Sequence, residues 1–214
     1  MPCADLLAPQ GHWPAFLAFT ASDVRHCPAG WVGISGPIAQ RRLAAWRAVR
    51  GFGEALGNPL RLRRPLDAGV RVLVAHCASL GHGVDDDGSA RPNFELFARL
   101  MDDPRYRRNL AGDLSAVLQG NRVDAAAALL ARGDWHARLV NGSDYPLPGV
   151  LPIVSLPLLA ERGLLDPAAV APLRELRDHN VLLFDFVLKR SLVNNGARFA
   201  PGVFQTRPYF EMPG

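Results

Sequence analysis

Lysine is nearly absent from this chain of 214 residues: of its 24 basic side chains only Lys189 is a lysine, and the rest are arginine. With 20 acidic residues the formal charge is +4, a balance that can suit an anionic partner. The arginines are dispersed, however. Groups such as Arg61-Arg63-Arg64 and Arg105-Arg107-Arg108 lack the interleaved aromatics or glycines of RNA-binding motifs. Coding bias in a GC-rich gene accounts for them, and no nucleic-acid partner is expected. Cysteine is scarce too. Cys3, Cys27 and Cys77 are odd in number and unevenly spaced, which argues against a disulfide framework and against a two-cysteine zinc knuckle. A reduced, cytoplasmic setting is the expectation. No apolar run approaches the roughly 20 residues that span a bilayer, and the start lacks a basic region followed by an apolar core, so neither membrane insertion nor secretion is expected. What the chain does have is 49% hydrophobic residues, ample for a buried core.

Three apolar runs end in polar, chemically capable side chains. Val72-Leu73-Val74-Ala75 leads to His76-Cys77, Leu110-Ala111-Gly112 leads to Asp113-Leu114-Ser115, and Ala137-Arg138-Leu139-Val140 leads to Asn141-Gly142-Ser143-Asp144-Tyr145-Pro146. The ends at 76, 113 and 144 stand 37 and 31 residues apart. A strand, loop, helix and return loop take about 30 or more residues, so this is the spacing of successive βα units with parallel strands. In such barrels and open sheets, polar groups at the carboxyl ends of strands converge on one face. His76 and Asp144 are therefore expected to be neighbours.

Between the strands, Gly81 to Pro92 reads as a loop holding the acidic run Asp85-Asp86-Asp87-Gly88, expected to be a solvated turn. Asn93 is placed to cap a helix carrying Phe94, Phe97, Leu100 and Met101, which Asp103-Pro104 stops. Val123 to Leu130 is Ala- and Leu-rich helix former. Helices are also expected near 60–66, 157–163, 167–178 and 180–193, the last ending in Lys189-Arg190, where cations suit the helix dipole. Residues 1–48 differ: they hold Trp13, Trp31 and Trp46 with scattered Pro and Gly and little periodicity, apart from a short helix expected from about Pro37 to Leu56.

Asp144 sits where Gly142 lets the backbone turn and Pro146 stops the strand. Two roles are open to it, an Asx-turn or cap and chemistry. His76 has the same pair of readings, with simple hydrogen bonding of its ring as the alternative to function. Imidazole and carboxylate both ligate Zn²⁺ or Mn²⁺, and a carboxylate can take a proton from a bound water. Two donors are too few, since a catalytic zinc takes about three protein ligands. His12, His26, His82, His136 and His179 show no His-x-His spacing. His82 is expected to be a solvated loop residue, Cys77 to pack on the far side of the strand from His76, and Asp113 and Ser115 to hydrogen-bond neighbouring loops.

Gly57-Asn58-Pro59-Leu60-Arg61-Leu62, followed by Gly69-Val70 and Val74-Ala75-His76-Cys77, resembles the approach to strand six of the metal-dependent TIM-barrel hydrolases of the amidohydrolase superfamily. Gly142-Ser143-Asp144-Tyr145-Pro146 resembles the strand-eight aspartate motif of that family. The resemblance covers roughly residues 50 to 210. It implies a divalent metal, Zn²⁺ or Mn²⁺, a small-molecule substrate, and hydrolysis or a related decarboxylation. His76 would be a metal ligand or substrate-polarising acid, and Asp144 a metal ligand or the base acting on bound water.

The His-x-His pair of strand one and the donors of strands four and five have no counterpart here. A full barrel takes about 250 residues, so the expected fold is α/β, the carboxyl-terminal three or so βα units of an incomplete TIM barrel, over residues 49–214. Residues 1–48 read as a separate segment, disordered or translated from the wrong frame of a truncated gene. The competing, non-enzymatic reading is a degenerate fragment that pairs with another chain, as a homo-oligomer for example, because a few parallel strands leave sheet edges uncovered.

Overall fold

A computed structural model of the chain describes residues 16–18, 57–150 and 153–211. The expected helix at 37–56 lies outside the described residues, as does all of the 1–48 segment except 16–18. Four short strands, β1 (Phe16–Ala18), β2 (Arg71–Val74), β5 (Leu110–Asp113) and β6 (Leu139–Val140), form one parallel sheet in the order β1-β2-β5-β6. Val72 stands opposite Leu110, Val74 opposite Gly112, and Asp113 opposite Val140. Each strand is the spatial neighbour of the previous strand of this sheet, so the carboxyl ends of β2, β5 and β6 fall side by side. The sequence reading expected three strands. The fourth, β1, pairs with β2 from within the segment set apart from the domain.

The rest is mostly helical: α1 (Arg63–Asp67), α2 (Asn93–Asp102), α3 (Val123–Ala131), α4 (Leu156–Glu161), α5 (Val170–His179), α6 (Val181–Ser191) and α7 (Thr206–Glu211). The chain is thus mixed α/β with a small parallel sheet, and among the described residues the sheet is open and no barrel closes. No helix of the described residues is long and apolar enough to cross a membrane. The core explains the strands' lack of alternation. Val72, Val74, Leu110, Ala111, Leu139 and Val140 are all buried, as expected of parallel strands covered on both faces. From α2, Leu96, Phe97, Leu100 and Met101 repeat at helical spacing and are buried, and Phe97 meets Trp135 edge-on at 6.2 Å.

Four local expectations are corrected. Gly81–Pro92 is not a plain loop: β3 (His82–Val84) and β4 (Ala90–Pro92) pair antiparallel around the acidic turn. That turn is only partly solvated, for Asp85 is buried and takes the Arg99 guanidinium at 2.6 Å. Asn93 does not cap α2 but begins it, and its buried amide donates to the Leu80 carbonyl at 3.1 Å. Ala137-Arg138 belong to a 3-10 turn (Gly133–Arg138), with the strand confined to Leu139–Val140.

Glycine is required sterically at one point in the sheet. A β-carbon on Gly112 would lie 2.6 Å from Cys77 Sγ and 2.9 Å from Phe97 Cζ, both in the core. Gly112→Ala is expected to lower stability by about 1–3 kcal/mol, the usual cost of overpacking, read as a fall in the urea midpoint at unchanged slope.

Candidate functional site at the carboxyl ends of the sheet

β2 stops at Val74, two residues earlier than the apolar run suggests. His76, Cys77 and Ala78 then take the left-handed conformation, at φ 55, 50 and 49°. Ala116, after β5, and Asp144, after β6, do the same at φ 55 and 54°. Of the six non-glycine residues with positive φ among the described residues, five thus lie at the carboxyl ends of these three strands. Such conformations cost about 1–3 kcal/mol each and collect at functional sites, where surrounding contacts hold them.

Those contacts form a chain of hydrogen bonds. Asp113, at the end of β5, accepts the Ser115 amide at 2.9 Å and the Ser115 hydroxyl through its other oxygen. His76 Nδ1 lies 2.7 Å from Ser115 Oγ and 3.0 Å from the Ser115 carbonyl oxygen. A carbonyl only accepts, so Nδ1 carries the proton and the neutral ring keeps its lone pair on Nε2. Nε2 stands 3.9 Å from Asp144 Oδ2. The expected neighbourhood of His76 and Asp144 is therefore met, and Asp113 and Ser115 orient the imidazole as well as bracing a loop. Cys77 is fully buried and its Sγ donates to the Asp113 carbonyl at 3.3 Å, while burial pushes the thiol well above its ordinary range. It is a packing residue.

Burial, aided by the nearby Arg122 guanidinium, holds His76 below the usual histidine range, against the opposing pull of Asp113 and Asp144. Arg122 is itself buried and donates to Ser79 Oγ at 3.0 Å and Gln119 Oε1 at 3.2 Å. The depressed value has a consequence for stability. Below the ordinary histidine value of about 6.5 the unfolded chain takes a proton that the native ring does not, so stability falls as pH drops through 6.5 toward the native value. The expected slope is at most about 1.4 kcal/mol per pH unit. Urea denaturation at pH 7.5 and 5.5 should show a smaller loss in His76→Asn, whose amide can replace the Nδ1–H bond, than in the parent.

The loop bearing Asp144 is pinned on two sides. A β-carbon on Gly142 would collide with the Asp113 carboxylate and come within 3.3 Å of Ser115 Cβ, so only glycine lets the β6 loop lie against the end of β5. From α6, Lys189 Nζ donates to the Gly142 carbonyl at 2.5 Å and pairs with Asp185 at 2.6 Å. Lys189 is 1% exposed and Asp185 5%. Burial raises the Asp185 carboxyl above its usual range despite the lysine beside it. Lys189 does lie in the last turn of its helix, as the sequence indicates, and is in addition a buried cation beneath the site. The turn after Asp144 is closed by Ser143 Oγ, which accepts the Tyr145 amide at 3.3 Å. Among the described residues the Asp144 carboxylate accepts no backbone hydrogen bond, so an Asx-turn is not its role.

The other histidines do not join the pair. His82 is exposed on β3, and buried His136 donates from Nε2 to the Leu129 carbonyl at 3.0 Å and accepts the Ala200 amide at 3.2 Å. His12 and His26 lie outside the described residues. Among the described residues no group of three or more His, Cys, Asp or Glu side chains is placed to hold a metal ion. His76 and Asp144 supply two donors; of the nearby carboxylates, Asp113 is engaged with Ser115 and Asp185 with Lys189. The described residues thus do not make a three-ligand catalytic metal centre. Sequence reasoning missed Ser115 as an orienting group, Arg122 and Asp185; the one available signal was the solitary lysine. No family model, curated protein or solved structure matches this chain.

Proposed function

We propose that this chain is a hydrolase-type α/β domain, related in design to the carboxyl-terminal arc of the metal-dependent amidohydrolase barrels, in which Asp144 and His76 activate water against a small acyl substrate. The observation that carries the reading is the pairing of two acceptors: an Nε2 lone pair faces a carboxylate oxygen at 3.9 Å. Two acceptors so placed need a donor between them, and a water molecule at about 2.8 Å from each atom can give one hydrogen to each. In that arrangement Asp144 takes a proton as the water oxygen bonds to the carbonyl carbon. It returns the proton to the leaving nitrogen or oxygen as that bond breaks. His76 orients the water, held in the required tautomer by Ser115 and Asp113. The four-strand sequential parallel order and the site at strand ends are consistent with an arc of a barrel.

A Zn²⁺ or Mn²⁺ ion, as the family resemblance implies, would need donors beyond the described residues. Decarboxylation is the related reaction to include in any screen. Turnover of a panel of small esters, amides, lactones and carboxylic acids, with chelator and with added Zn²⁺ or Mn²⁺, is the direct test; hydrolysis of at least one compound is expected. The second reading, a non-catalytic fragment that associates with another copy, is favoured by the open sheet and by the exposed Tyr145, Val150, Leu182 and Leu183. It predicts a discrete oligomer in sedimentation and no turnover.

A further inference from the structure

We propose that Lys189, paired with Asp185, is the positioning residue that sets Asp144 against His76. Lys189 is the only lysine among 24 basic residues. It is also the only side chain among the described residues recorded as hydrogen-bonding the main chain of the Asn141–Asp144 stretch. Its ammonium reaches the carbonyl of Gly142, two residues before Asp144, at 2.5 Å, and the carboxylate one turn back on its own helix at 2.6 Å. α6 is a firm anchor for that contact: Asn180 caps it by accepting the Leu183 amide at 2.9 Å, and Phe184 and Leu188 beside the pair are buried.

A compact ammonium directs its three donors freely, whereas a planar guanidinium presents five in a fixed fork and needs more room. Here one ammonium meets both a carbonyl and a carboxylate, at 2.5 and 2.6 Å, with its freely directed donors. Gly142 completes the device, because its missing side chain lets the Asp113 carboxylate press the loop from the opposite side. Asp144 is then held between β5 and α6, with its carboxylate left for Nε2 of His76.

The assignment rests on Asp144 being the working carboxylate of the proposed function, but the tether is read without any reaction. The probe is the ¹⁵N resonance of His76 Nε2 at pH 8, measured in the parent, in Asp144→Asn, in Asp185→Leu/Lys189→Met, and in the triple variant. The paired substitution removes both charges together, so no lone buried ion remains to unfold the protein. Asp144→Asn is expected to move the Nε2 resonance in the parent background and to move it much less once the pair is removed. Amide exchange at residues 143–145 is expected to quicken at least about tenfold in the paired variant, with Ala111 and Gly112 of β5 unchanged, as for local opening. An undiminished Asp144→Asn effect with unchanged exchange at 143–145 overturns the proposal and leaves the pair as core filling. A parent in which Asp144→Asn leaves Nε2 unmoved refutes the His76–Asp144 pair itself, and the tether with it.

Discussion

Lys189→Met is expected to cost about 3–5 kcal/mol of stability, the usual result of removing one partner of a buried ion pair. The substitution leaves the Asp185 carboxylate without its cation in a site where it is 5% exposed, and leaves the Gly142 carbonyl without its donor. Burial already raises the Asp185 carboxyl above its usual range with the lysine present, so without it the group would protonate, which limits the loss. Asp185→Leu/Lys189→Met should recover most of the stability, because apolar replacement of a whole buried pair is often neutral or stabilising. Urea denaturation of the three proteins gives the comparison directly. A single variant as stable as the parent would contradict a buried, mutually dependent Lys189–Asp185 pair.

The parallel sheet and the meeting of His76 with Asp144 were legible because two simple signals agreed. Apolar, unalternating runs such as Val72-Leu73-Val74 mark strands buried on both faces, and their spacing of about thirty residues leaves room for the crossover that parallel strands require. What escaped depends on contacts distant in sequence. The β3–β4 ribbon is built from His82-Gly83-Val84 and Ala90-Arg91-Pro92, too short and too polar to carry a pattern. It is fastened instead by Asn58 Nδ2 to the Val84 carbonyl at 2.7 Å and by Asp85 to Arg99. Lys189 near a helix end has an adequate local reason to be there, and nothing local shows that Asp185, one turn earlier, lies with it in the core. The early stop of β2 at Val74 is of the same kind. The left-handed turn at His76–Ala78 is unfavourable by itself and is held by bonds to Ser115 and Asp113, residues nearly forty positions away.

Asp144→Asn is expected to cost about 10²–10⁴-fold in turnover, the range for loss of a positioned general base, while leaving the fold intact. The carboxylate accepts no backbone bond among the described residues, and its side chain is 30% exposed, so the isosteric amide removes basicity and little else. His76→Asn should lose activity in the same range, and the double variant should lose little more than either single one, because groups that act on one water act as a unit. The most direct measurement is therefore the turnover of one substrate by the parent, Asp144→Asn, His76→Asn and the double variant, each shown to be folded. The account predicts two large, non-additive losses. Parent-like turnover in Asp144→Asn would contradict it.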